Sequence, residues 1–117
     1  MHNLTLPKMS FSARLRLAML SSECGAIDLE RRIDEMDGTH IDAYTIAQYA
    51  DARIKNPPSD DMLVIARALQ VNENWFVNGE PMDLQTALFT GTNSDTEKNM
   101  EKAFNHIQFL MKYAADE

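Results

Sequence analysis

The sequence predicts an all-α fold, and three observations carry that reading. Apolar residues recur three and four positions apart in segment after segment, the spacing of a helix face. Most of these segments open on a Ser, Asp or Asn and stop at a Gly or an Asn-Pro pair. No segment alternates apolar and polar residues with a period of two, so neither strand nor sheet is expected.

The first helix is read over Ser10 to Glu23, with Phe11, Leu15, Ala18, Met19 and Ser22 on its apolar side and Arg14 and Arg16 off it. Ser10 is its N-cap, and Gly25 its terminator. Ile27 to Met36 repeats the pattern through Leu29, Ile33 and Met36, until Asp37-Gly38 breaks it. Asp42 caps a third helix, Ala43 to Ala52, whose apolar side is Ile46, Ala47, Tyr49 and Ala50. Beyond Asn56-Pro57-Pro58, Ser59 caps a fourth, with Asp60 and Asp61 in the first turn where the helix dipole favours anions. Its inner face is Met62, Ile65, Ala66 and Leu69. Asn72 caps a short fifth helix, Glu73 to Val77, which holds Trp75 and Phe76 and ends at Gly79.

Gly91, Thr92 and Asn93 mark a linker over residues 83–93. Ser94-Asp95-Thr96-Glu97 is a capping box that opens a last helix, striped with Met100, Phe104, Ile107, Leu110 and Met111. The expected organisation is therefore a domain over 8–82, a linker over 83–93 and a C-terminal helix over 94–117. The last stripe has two readings: it folds back on the domain, or it pairs with a second copy as a dimerisation seam.

Charge narrows the function classes. Residues 1–58 carry seven Lys/Arg against eight Asp/Glu, a net −1; residues 59–117 carry four against ten, a net −6. The acidic second half would be repelled by a phosphate backbone, so any nucleic acid must meet the first half. Cys24 is alone, which excludes an internal disulfide, and has no basic neighbour to make it a thiolate. Met1 to Pro7 has no basic start followed by an apolar run, and nothing is long and apolar enough to span a bilayer, so a cytoplasmic location is expected. His2, His40 and His106 lie far apart in no metal-ligand spacing, and His40 reads as a surface loop residue. There is no phosphate-cradling glycine loop, no serine elbow and no carboxylate pair placed for acid–base work. Neither an enzyme, a cofactor nor a metal is expected.

The stretch from Asn56-Pro57 through Ile65-Ala66-Arg67-Ala68-Leu69-Gln70-Val71 resembles the N-P…L-L-x-I-A-x-A-L-x-V helix of the phage-repressor (lambda Cro/CI-type) helix-turn-helix family. Asn74-Trp75-Phe76-Val77-Asn78-Gly79-Glu80 resembles that family's D-W-L-L-x-G-E segment, and Ile41 to Tyr49 its recognition-helix pattern V-S-x-x-T-I-S-x-Y. The likeness covers roughly residues 10–81. It implies a five-helix lambda-repressor-like helix-turn-helix domain followed by a C-terminal helix. It also implies a sequence-specific transcriptional regulator, a small phage or prophage repressor that reads an inverted-repeat operator in double-stranded DNA as a homodimer. The chain departs from the family in carrying about six more residues between Ile33 and Ile41, and in placing Glu30 where a small residue is usual.

On this likeness, the third helix enters the major groove. Its outward positions are Ala43, Tyr44, Thr45 and Gln48: Gln48 suits adenine, Thr45 or Ala43 a thymine methyl, and Tyr44 a phosphate or sugar. Arg53 and Lys55, with Arg14 or Arg16, would hold the backbone. Plainer readings stand beside these. Gln48 is also an ordinary solvated helix residue, Tyr44 also a residue that packs into the turn, and Arg31 and Arg32 an ion-paired surface face. The acidic balance and altered turn leave a second function class open, a protein-interaction module of antirepressor or antitoxin type with a protein partner.

Overall fold

The computed structural model describes residues 5–36, 39–88 and Asn105. The described chain is mostly helical, with a small antiparallel sheet: β1 Thr5–Leu6, α1 Phe11–Ser21, α2 Ala26–Asp34, α3 Ala43–Ala50, α4 Ser59–Leu69, α5 Glu73–Asn78, β2 Met82–Asp83 and α6 Leu84–Leu88. None of these helices is long and apolar enough to cross a membrane. The expected C-terminal helix, and with it Met100, Phe104, Ile107, Leu110 and Met111, lies outside the described residues.

Local chemistry explains most boundaries. Ser10 Oγ accepts the Ala13 N–H, Asp42 Oδ1 the Thr45 N–H, and Asn72 Oδ1 the Trp75 N–H. Each satisfies a first-turn amide that the helix itself cannot. Gly79, at φ +75, closes α5 in the left-handed region that glycine enters freely.

Several expectations are corrected. Gly25 does not end α1; it is the N-cap of α2, and left-handed Glu23 takes the chain out of α1. Ser59 is the first residue of α4, not its cap; Pro58 stands at the cap and its carbonyl accepts the Met62 N–H. The third helix ends at Ala50, because Ala52 turns left-handed. The two strands were not foreseen, since two residues each cannot display an alternation. Thr5 pairs with Asp83 and Leu6 with Met82, and this register buries Leu6 completely. Residues 83–88, expected within a linker, instead form the end of β2 and α6. Asp83 takes both the N–H and the hydroxyl of Thr86, and Leu84, Ala87 and Leu88 are buried.

The core gathers Leu15, Leu17, Leu29, Ile33, Ile46, Ile65, Trp75, Phe76 and Leu84. Each fully buried aliphatic side chain contributes roughly 1.5–3 kcal/mol relative to exposure. Trp75, 1 % exposed, belongs to this core, with its Nε1–H unpaired. α2 packs on α3 and α4, α1 on α3 and α5, and α4 on α5. The second helix, expected to run to Met36, ends at Asp34, and α3 begins at Ala43.

Candidate nucleic-acid interface

α3 is anchored from within. Ile46 and Tyr49 are buried, and the Tyr49 hydroxyl donates to Asp61 Oδ2 at 2.6 Å. Burial, followed by the hydrogen bond to Asp61, pushes that phenol up to about 12. Ser12 Oγ, from α1, donates to the Ala50 carbonyl at the far end.

With that face fixed, Tyr44 points outward and is 72 % exposed, which removes the reading that packs it into the turn. Ala43, Thr45 and Gln48, all expected to be exposed, are half-buried. Past the helix, the Arg53 N–H donates to the Gln48 carbonyl at 3.0 Å, so the backbone holds these two positions together. Arg53 and Lys55 are both exposed, as is Arg16 on α1.

Arg14 is withdrawn from this set. It is 8 % exposed, its Nε donates to the Phe76 carbonyl at 2.9 Å, and its Nη1 donates to the Met9 carbonyl. Burial lowers the pKa of its guanidinium. The sequence suggested a surface residue because arginine is charged and lies beside the apolar stripe. The carbonyls of Met9, just ahead of α1, and of Phe76 in α5 give it an interior role instead.

The start of α3 is acidic. Asp42 caps it, and hydrogen bonds from Thr45 hold its carboxyl below the usual carboxylate range. Glu30 of α2 accepts the Ala43 N–H at 2.6 Å. His40 Nδ1 meets Asp34 Oδ1 at 2.6 Å, and this hydrogen bond, with the charge of Asp34, raises the imidazole pKa. Donor atoms of Glu30, Asp34 and His40 lie within 4.8 Å of one another. Asp34 and His40 are hydrogen-bonded to each other, and Glu30 to the Ala43 N–H. The sequence hid this cluster because His40 arrives from the loop, ten residues after Glu30.

Arg31 pairs with Asp28 at 3.9 Å, both side chains largely exposed, which bears out the Arg31 half of the expected ion-paired face. Cys24 is buried, and desolvation raises its thiol pKa, which keeps it a poor nucleophile. Ile27, near the start of α2, is 70 % exposed, an apolar position that sequence patterning did not single out.

No family model matches the chain, and neither curated proteins nor solved structures yield a match.

Proposed function

We propose that the chain is a sequence-specific DNA-binding transcriptional regulator, a small phage- or prophage-type repressor of the cytoplasm. α2 and α3 act as its helix-turn-helix, within a five-helix lambda-repressor-like unit, and α3 reads the major groove. One observation carries the reading. A short helix fixed from behind by Ile46 and Tyr49 offers Tyr44 outward and Gln48 at its flank, with exposed Arg53 and Lys55 just beyond its end. That is the division of labour a groove-reading helix needs, with hydrogen-bonding side chains for base edges and flanking cations for phosphates. Residues 94–117 supply the dimer seam, because one short helix in one groove binds too weakly to select an operator.

A second reading is favoured by the exposed apolar side chains of Ile27 and Tyr44, and by the carboxylates of Glu30 and Asp42 at the start of α3. These suit a protein partner better than a polyanion, and make the chain an interaction module on the same frame.

Selection from random genomic fragments at two salt concentrations separates the two. An enriched inverted repeat, bound more weakly at higher salt, is the outcome expected of a regulator. A well-folded dimer that enriches no sequence at either salt concentration would leave the interaction module standing instead.

A further inference from the structure

We infer that Glu30 is a positioning residue for α3: its carboxylate, reaching across from α2, holds the first turn of the reading helix and so sets how sharply sequence is discriminated. The inference rests on the DNA-binding reading above.

The first N–H groups of any helix lack intrahelical partners. In α3 the capping Asp42 takes one, from Thr45, at 2.8 Å. The Ala43 N–H is left over, and Glu30 Oε1 accepts it at 2.6 Å from thirteen residues upstream. A carboxylate set against a helix N-terminus gains from the helix dipole as well as from the charge-assisted bond. Ile46 and Tyr49 fix the buried side of α3, and Ile41, just before the cap, is itself held in the core. The side-chain bond from α2 adds a polar restraint at the Ala43 N–H, which neither the core nor the cap engages. One helical turn after Glu30, Asp34 holds His40, so the loop is pinned to the same side of α2.

Glu30 also has a cost at this place. A negative charge beside a phosphate-facing helix weakens attraction to every DNA sequence alike. Its two roles therefore have opposite signs. Loss of the charge alone would raise affinity for all duplexes together. Loss of the restraint would lower affinity for the selected duplex relative to a random one.

The test uses the full chain. Amide exchange at Ala43, followed by NMR without DNA, is expected to quicken about tenfold in Glu30→Ala, the order of effect when a charge-assisted hydrogen bond at a partly exposed site is lost. Glu30→Gln keeps an oxygen acceptor and should retain most of the protection. Titration with the enriched duplex and a random duplex of equal length should show their affinity ratio falling about tenfold in Glu30→Ala. Glu35→Gln removes the same charge from the C-cap of α2 and should leave the ratio unchanged. Unaltered Ala43 exchange in Glu30→Ala overturns the inference, and so does a faster exchange with an unaltered ratio. If the wild-type chain enriches no duplex, the DNA-binding reading fails and the discrimination role with it, while Ala43 exchange still decides whether Glu30 restrains the helix.

Discussion

Tyr49 of α3 donates its phenolic hydrogen to Asp61 Oδ2, in the first turn of α4, at 2.6 Å. The bond ties the candidate reading helix to the rest of the helical unit through a side chain that is otherwise buried. Tyr49→Phe keeps the ring and loses the bond, and should lower unfolding free energy by about 1 kcal/mol in chemical denaturation. The phenol is pushed up to about 12 in the folded protein, above its ordinary 10.0. Its contribution is therefore fully present below pH 10 and is lost as pH rises towards 12. Absorbance titration should show a tyrosine step near 12 that Tyr49→Phe removes.

Gly79 and Arg14 make a second coupled pair. A Cβ at Gly79 would stand 2.9 Å from Arg14 Nη1, on a backbone at φ +75. Gly79→Ala should cost about 2 kcal/mol, from left-handed strain together with displacement of the guanidinium. Arg14→Met leaves the Phe76 carbonyl buried without its donor and should cost about 1–3 kcal/mol. The double variant should be less destabilised than the sum of the two, because the collision at Gly79 disappears with the guanidinium. Full additivity in denaturant melts would contradict the geometry.

Interior placement of Arg14 also sharpens what DNA titrations should show. Arg53→Ala and Lys55→Ala should each reduce the slope of log affinity against log salt by about 0.9, if each neutralises one phosphate. A stably folded Arg14 variant should leave the slope unchanged. Gln48→Ala should relax preference at one base pair by about 1–3 kcal/mol. Loss of affinity that is uniform across sequences would assign Gln48 to the backbone instead.

The His40–Asp34 pair has a defined pH window. Its imidazole is raised above the ordinary 6.5 by the Asp34 hydrogen bond and charge, with smaller contributions from Glu30 and Asp42. The pair's stabilisation is present in full below 6.5 and fades as pH climbs through the raised folded value. Thermal melts on the alkaline side of neutrality should therefore fall more in the wild type than in His40→Gln. Both side chains are about half exposed or more, so the difference is small and shrinks further with salt.

The C-terminal stripe gives a prediction independent of DNA. Ile107→Glu, with a charge at the centre of the proposed seam, should turn a dimer into a monomer in sedimentation equilibrium. A dimer that survives the substitution would place the seam elsewhere.

Helix existence was legible in the sequence wherever a cap and an apolar stripe coincided. Ser10, Asp42 and Asn72 each mark a cap in both sequence and structure. Less legible were features made by long-range pairing. The two strands are too short to carry a pattern, and Leu6 finds its place only because Met82 lies opposite. α6 did leave a trace, since Asp83 three residues before Thr86, with Leu84, Ala87 and Leu88, is a cap followed by one helical face. At the candidate site, the sequence placed the helix α3 and the exposure of Arg53 and Lys55, but overstated the exposure of Ala43, Thr45 and Gln48 and misplaced Arg14. Its role depends on carbonyls that only the fold brings near. Glu30 went unassigned for the same reason, because its acceptor role appears only once Ala43 has arrived beside it.

The pairing of Thr5 with Asp83 also bears on the order of folding. These residues are separated by the whole sequence of five helices, so joining them early would mean closing a very long loop for a handful of backbone bonds. Helices that pack through nearer neighbours are therefore expected to assemble first, with the sheet closing afterwards. Substitutions in β1, such as Leu6→Ala, should consequently hasten unfolding while hardly slowing refolding, the kinetic signature of a clasp rather than a nucleus.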